Sequence, residues 1–390
     1  MDAEMASWKS TGTYVDEVPP PGANIVDGMW IFRGVDYFQT FSPTSKMTTL
    51  RELLHVAAQR DYELHSLDFS TTFLLRGPVY GLLQSPREWQ DTLRTTLAAL
   101  GFAPSTADLS LFLRTDTSLP PFYVLVYVND LVFATADRGT DPCEITRDRA
   151  RHTITLTQSH MVHQVLQRFG FLFSSPQPTP LTTSHSLSAP PLDESIEPSG
   201  PYPELVGCLM YLMTCTRPDL AYPLSLQARY VAPVASRVDD SATQRSSQGY
   251  TFSLGSGSVS WRSTRLSSVL ISSCEAEIYA GAMAAQELRW LTYLLTDLGE
   301  QPCSPPVLYV DNKAMIAFYQ EHRLEHRTKH IALRYFLARE LQQRGQICLA
   351  YVATRANSTD IFTKALPPGD HQHFSTVLGL VPTFPHLLTV

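Results

Sequence analysis

The feature that most constrains the fold is residues 122–135, in which two apolar, β-prone runs flank the polar pair Asn129-Asp130. Two such runs separated by a pair of turn-forming residues are typical of a tight β-hairpin. An isolated Asn-Asp pair more often only forms the turn. However, Asp68 ends another strand-like segment, residues 62–69, and would meet the same turn if that strand lay beside the hairpin. Carboxylates meeting there could bind Mg²⁺, which prefers oxygen ligands and can assist phosphoryl displacement.

Chain length and charge set the outer limits of the prediction. With 390 residues, 44% of them hydrophobic, the chain can form two or three domains with sizeable cores. The net charge of −7 argues weakly against a nucleic-acid partner, although residues 321–364 are basic and would carry any such surface. The six scattered cysteines favour reduced thiols. No signal peptide or membrane span is visible, so we expect a soluble cytoplasmic or nuclear protein without a membrane partner.

The periodicity of apolar residues predicts alternating helices and strands along the chain. Helices are predicted over 48–59, 87–100, 205–214, 219–231, 274–298, 313–320 and 328–344, a hairpin over 248–262, and strands over 307–312 and 347–352. Residues 174–203 are rich in Pro and Ser and are predicted to form an extended linker. The alternation of strands and helices after this linker predicts a mixed sheet.

Four motifs in the first half resemble, in order, the reverse-transcriptase palm of copia-type retrotransposons. They are Leu-Asp-Phe-Ser-Thr-Thr-Phe at 67–73, Tyr-Gly-Leu-Leu-Gln-Ser-Pro-Arg-Glu-Trp at 80–89, residues 101–112, and Tyr-Val-Asn-Asp at 127–130. The resemblance implies that Asp68 and Asp130 are catalytic metal ligands, with Asn129 replacing an expected aspartate. It also implies a nucleotide site containing three further residues, Phe73, Gly81 and Gln84.

Four motifs in the second half resemble the ribonuclease H domain that follows the polymerase in these elements. They lie at 272–279, 309–314, 326–331 and 359–366. The resemblance implies that Glu275, Asp311 and Asp360 bind Mg²⁺ or Mn²⁺ and hydrolyse RNA paired to DNA. Without the resemblance, Glu275 only favours a helix N-terminus and Asp311 only caps the next helix.

The chain also departs from the family pattern. The neutral Asn129 removes one carboxylate, and a basic strand pair of the fingers is absent where Arg33 joins Gly34 directly. The strand that carries the first ribonuclease H aspartate is missing before the second hairpin, and only Asp239 or Asp240 lies near its place. The loss of a central strand would leave backbone groups unpaired or force a different partner.

We therefore expect an α/β (α+β) chain with a truncated, ferredoxin-like reverse-transcriptase palm followed by a ribonuclease H-like mixed-sheet domain. The expected boundaries are fingers and palm at 1–173, linker at 174–203, connecting helices at 204–235 and the ribonuclease H-like domain at 236–390.

The expected function is a degenerate RNA-directed DNA polymerase and ribonuclease H fragment with little or no activity. Its partners would be template-primer nucleic acid or an RNA–DNA hybrid, and deoxynucleotides if it is active. Two alternatives remain open: a non-enzymatic nucleic-acid-binding remnant that uses residues 321–364, and a residual metal-dependent nuclease that uses the three C-terminal acids.

Overall fold

The computed structural model describes residues 44–68, 85–128, 130–136, 145–183, 201–231, 247–266, 273–301, 304–320 and 337–381. These residues form two compact units. The first contains the described residues up to Ile154 together with Thr296–Gly299, and the second contains Thr155–Leu295 and the residues from Glu300 onward. Within the described ranges, no helix has both the length and the apolar character needed to cross a membrane.

The first unit is built on a five-stranded antiparallel sheet. Its strands are β1 (Glu63–Asp68), β2 (Phe102–Pro104), β3 (Leu111–Arg114), β4 (Phe122–Tyr127) and β5 (Asp130–Thr135). They lie in the order β1-β5-β4-β3-β2, so β1 joins the sheet beside β5. A separate two-stranded sheet consists of β6 (Ile145–Asp148) and β7 (Thr153–Leu156).

Two helices of the first unit confirm the predictions from sequence spacing. Helix α1 (Met47–Arg60) buries Leu53, Leu54 and Ala57 on one side. Helix α2 (Ser85–Ala99) places Leu93 and Leu97 against an apolar cluster of the sheet, formed by Phe112, Val124, Val126 and Leu131. Full burial of each large aliphatic side chain contributes about 1.5–3 kcal/mol.

Asp297 attaches a short C-terminal piece to the first unit. Its Oδ2 atom accepts hydrogen bonds from Ser105 Oγ at 2.6 Å, Thr106 N at 2.9 Å, Thr106 Oγ1 at 3.0 Å and Ala107 N at 3.2 Å. Tyr123 adds a hydrogen bond from its hydroxyl to the Leu298 carbonyl at 2.8 Å. Burial raises the pKa of Asp297, but these hydrogen bonds outweigh it and lower the pKa overall.

The second unit begins with a helical region. It contains α3 (Ser159–Arg168), α4 (Tyr202–Cys215) and α5 (Ala221–Gln227), with 3₁₀ turns at Pro218–Leu220 and Ala228–Tyr230. The helix predicted over 219–231 is therefore divided into three short pieces. Helix α4 begins before the predicted end of the linker; residues 184–200 of that linker lie outside the described residues.

The remaining elements of the second unit follow the predicted order. A hairpin of β8 (Ser247–Leu254) and β9 (Gly257–Arg265) turns at Gly255, whose φ of 61° suits glycine. The long helix α6 (Ser273–Asp297) follows, and then β10 (Val307–Val310), α7 (Lys313–Gln320), α8 (Leu337–Gln343), β11 (Cys348–Tyr351) and α9 (Pro368–Val377). The helix predicted over 328–344 is described only from residue 337.

The sheet arrangement of the second unit differs from the prediction of one mixed sheet. Strands β10 and β11 pair in parallel, whereas β8 and β9 pair antiparallel. Among the described residues these pairs are two separate two-stranded sheets. This arrangement is expected if the strand between them is lacking, since a sheet is continuous only where each strand pairs with the next. The described architecture is α+β at the coarse level.

Candidate active sites

The hairpin turn lies at the end of the central strands of the first unit. Strands β4 and β5 are antiparallel, with Tyr127 opposite Asp130. The two-residue connection therefore consists of Val128 and Asn129, and Asp130 is the first residue of β5. The predicted hairpin is confirmed, but its turn lies one residue earlier than predicted. Asn129 itself lies outside the described residues.

Asp68 and Asp130 are direct neighbours in the backbone register. Strand β1 lies antiparallel to β5, and its last residue, Asp68, pairs with Asp130, the first residue of β5. Residues directly opposite each other in an antiparallel pair have Cα atoms about 4.5–5.5 Å apart. The prediction that Asp68 reaches the hairpin from a neighbouring strand is confirmed for the backbone, whereas the catalytic roles of both residues stay predictions.

Trp89 fixes the turn from outside the sheet. Its indole Nε1 atom donates a hydrogen bond to the Val128 carbonyl at 2.6 Å. Val128 has a φ of 56°, which is uncommon for a β-branched residue. Such a conformation persists only where the surrounding structure imposes it. The sequence placed Trp89 on the buried side of its helix and gave no signal for this contact with the turn.

Several residues with predicted roles lie outside the described residues. They are the three nucleotide-site residues and the residues at the shortened junctions, namely Phe73, Gly81, Gln84, Arg33, Gly34, Asp239 and Asp240. Their roles stay predictions.

The acids of the second unit come from three different elements. Glu275 and Glu277 lie near the start of α6, Asp311 directly follows β10, and Asp360 lies in a 3₁₀ turn, Ser358–Phe362. Burial, together with the negative charges of Asp311 and Asp360, raises the pKa of Glu277 from 4.5 to about 7. Asp311 and Asp360 therefore both lie within electrostatic range of Glu277, and we call these three residues the acid cluster.

Glu277 is the site residue that the sequence reasoning missed in favour of Glu275. Residues two apart on a helix point in nearly opposite directions, so the two glutamates cannot both face the same neighbours. Glu277 shares a face with Gly281, one turn later. A Cβ on Gly281 would lie 2.1 Å from Met315 Cε, so this face of α6 packs closely on α7, the helix after Asp311. In the sequence, Gly281, four residues after Glu277, was the signal that this face of the helix packs closely on a neighbouring element. The metal-ligand role of Glu275, which is buried, stays a prediction.

The cap of α7 is Asn312 and not Asp311. Asn312 Oδ1 accepts hydrogen bonds from the backbone N–H groups of Ala314 at 2.9 Å and Met315 at 3.1 Å. These bonds satisfy two of the unpaired donors at the helix start. The simple interpretation, in which Asp311 serves only as this cap, is therefore not supported by the structure.

The acid cluster has suitable ligand atoms for Mg²⁺ but not the necessary arrangement. Among the described residues, no group of three or more His, Cys, Asp or Glu side chains could hold a metal ion. Asp360 Oδ2 instead forms a salt bridge with Lys364 Nζ at 2.7 Å. The described residues, as they are placed, therefore do not fit a bound metal ion. The positive charge beside Asp360 comes from the ammonium group of Lys364.

Three curated relatives match nearly the whole chain. They are the retrovirus-related Pol polyproteins from transposon TNT 1-94 of Nicotiana tabacum (24% identity over 97% of this chain) and from transposons RE2 and RE1 of Arabidopsis thaliana (29% over 93% and 28% over 94%). The chain spans about a third of the length of these relatives, 37%, 32% and 32% respectively. No family model and no solved structure matches the chain.

These relatives place the chain in the class of retrovirus-related Pol polyproteins. Within that class, it is a member of the copia-type retrotransposon group, as the ordered motifs predicted. The match to the tobacco relative extends over 497 residues, although this chain has only 390. The relative therefore contains segments between the matched parts that this chain lacks.

Proposed function

We propose that this chain is a fragment of a retrotransposon RNA-directed DNA polymerase and ribonuclease H region that retains little or no activity. The observation that carries the proposal is the register of Asp68 opposite Asp130 beside a turn that contains the neutral Asn129. The similarity to Pol polyproteins supports the polymerase and nuclease class. The natural partners would be template-primer nucleic acid, an RNA–DNA hybrid and deoxynucleotides.

The proposed metal site of the polymerase half lacks one negative charge, because position 129 is an asparagine and not an aspartate. Family activity would depend on Mg²⁺ or Mn²⁺ bound by Asp68 and Asp130, with Phe73, Gly81 and Gln84 at the nucleotide. An amide at position 129 offers an oxygen atom but no charge to offset a dication. Loss of one group that stabilises the transition state electrostatically typically lowers the catalytic rate by about a hundredfold or more, and we expect a similar decrease in the polymerisation rate here.

The nuclease half lacks part of its framework. Among the described residues, which do not include 232–246, β8-β9 and β10-β11 form separate sheets, and this supports the view that a strand between them, with its aspartate, is missing. The salt bridge from Lys364 to Asp360 further opposes metal binding at the acid cluster.

Primer extension on an RNA template tests the polymerase half. Wild-type protein should extend no more primer than the Asp68→Ala variant, which lacks the first proposed ligand. The Asn129→Asp variant restores the missing carboxylate and shows how much of the defect lies at that position. Extension by the wild type clearly above Asp68→Ala would contradict the proposal.

A residual metal-dependent nuclease is the second candidate. The electrostatic grouping of Glu277, Asp311 and Asp360 favours it, because bringing carboxylates from separate elements together at a partly buried site costs free energy that a bound metal ion would offset. Cleavage of an RNA–DNA hybrid with Mn²⁺ that Asp311→Asn abolishes would support this candidate over an inactive remnant.

A further inference from the structure

Lys364 is held against the acid cluster by its own stretch of backbone. Its Nζ atom lies 2.7 Å from Asp360 Oδ2, four residues earlier. The Lys364 N–H also donates to the Asp360 carbonyl at 3.1 Å, as does the Thr363 N–H. Because one turn of chain separates the two residues, the backbone holds the Lys364 side chain within reach of the Asp360 carboxylate.

The partner of Lys364 is the more enclosed member of the pair. The Asp360 side chain is 17% exposed, whereas that of Lys364 is 52% exposed. The Asp360 carboxylate also lies within electrostatic range of Glu277, which in turn is within range of Asp311. A cation at Asp360 therefore offsets the repulsion between Asp360 and Glu277.

Another lysine near the acids is directed elsewhere. Lys313 follows Asp311 by two residues, but its Nζ lies 4.8 Å from the centre of the Tyr351 ring in a cation–π contact. Within the part of the chain that the structure describes, Lys364 is the lysine whose ammonium group forms an ion pair with an acid of the cluster.

We propose that the ammonium group of Lys364 serves as a tethered cation at the acid cluster and competes with a divalent metal ion for Asp360. This inference rests on the proposed function, in which the cluster is the remnant of a metal-dependent nuclease site. A metal ion at Asp360 would bind the same carboxylate and would be repelled by the nearby ammonium charge. Lys364 is thus a residue that weakens metal binding while it stabilises the metal-free fold.

Calorimetric titration of the full chain with Mn²⁺ tests this competition. The Lys364→Met variant, which keeps side-chain length and removes the charge, should bind Mn²⁺ roughly tenfold more tightly than the wild type. Lys364→Arg keeps the charge and should bind as weakly as the wild type. Adding Asp311→Asn to Lys364→Met should abolish the gain, which locates the new binding at the acid cluster.

Arg344→Met provides the matched control. Arg344 forms an ion pair with Glu340 of the same i, i+4 spacing, in a part of the chain that contains none of the cluster acids. This variant should leave Mn²⁺ affinity unchanged. Equal Mn²⁺ affinity for Lys364→Met and the wild type, with folding verified by circular dichroism, would overturn the proposal.

A measurement on wild-type protein decides the matter if the variant does not fold. Saturating Mn²⁺ should displace the Lys364 amine from its ion pair with Asp360 and raise its acetylation rate severalfold, measured by mass spectrometry, while Lys313 serves as the internal reference. An unchanged rate would refute the competition. Neither readout depends on polymerase or nuclease activity, so the proposed function can fail in the hybrid-cleavage assay while the tethered cation stands, or the reverse.

Discussion

Replacement of Glu277 by glutamine should stabilise the second unit at neutral and alkaline pH. The folded state raises the pKa of Glu277 from 4.5 to about 7 because the group is buried and lies near Asp311 and Asp360. The folded chain therefore binds a proton that the unfolded chain releases between these two values. Wild-type stability should fall as pH rises from 4.5 toward 7 and level off above that, whereas Glu277→Gln avoids this loss.

The size of the effect follows from the pKa change. At 1.36 kcal/mol per pH unit, a rise from 4.5 to about 7 corresponds to at most about 3.4 kcal/mol. Glu277 is only partly buried, and solvent screening reduces this value, so we expect a gain of about 1–2 kcal/mol at about pH 8. Below about pH 3.5 the gain should vanish, since Glu277 is then largely protonated in both states.

Thermal unfolding of both proteins across this pH range provides the assay. Glu275→Gln is the matched control, because it removes the same charge from the same helix two residues away. A gain from lower net charge alone would appear in both variants, whereas a gain from the acid cluster appears only in Glu277→Gln. A pH-independent difference, or equal gains in the two variants, would refute the reasoning.

Other contacts give predictions that thermal or denaturant unfolding can check. Trp89→Phe removes the hydrogen bond to the Val128 carbonyl and should cost about 1 kcal/mol; an unchanged midpoint would mean that the bond does not hold the turn. Asp297→Asn should lower stability above about pH 4 by roughly 0.5–1 kcal/mol after allowance for solvent screening, since the lowered pKa of Asp297 stabilises the fold there and this gain disappears on acidification; a difference that persists at low pH would contradict this origin. Arg217→Met removes the two hydrogen bonds that Arg217 donates to the carboxylate of Asp219, a residue that is only 4% exposed. The free energy of unfolding should fall by about 3 kcal/mol, and a decrease below about 1 kcal/mol would contradict this expectation.

The local elements were predictable because their signals lie within short stretches of sequence. The spacing of Leu53, Leu54 and Ala57 predicted the buried face of α1, and two β-prone runs predicted the hairpin β4-β5. The turn lies one residue earlier because Val128 adopts a left-handed conformation that the preferences of a β-branched residue disfavour. The contact with Trp89 that accompanies this conformation involves a distant part of the chain.

The candidate nuclease site was predictable in its elements but not in every side chain. Glu275 and Glu277 both lie near the start of α6, and the sequence did not decide which one faces Asp311. Packing of α6 on α7 at Gly281 decides it in favour of Glu277. The pairing of β10 with β11 apart from the hairpin depends on which strands are present, which is a property of the whole domain.

Cleavage of a labelled RNA–DNA hybrid by the purified chain, with Mg²⁺ or Mn²⁺, tests the central claim most directly. The claim is that the chain is a Pol-derived fragment whose nuclease site no longer binds metal productively. It predicts that wild-type protein, shown to be folded, cleaves no more hybrid than the Asp311→Asn variant. Metal-dependent cleavage by the wild type that Asp311→Asn abolishes would contradict the claim and show that the acid cluster is a working nuclease site.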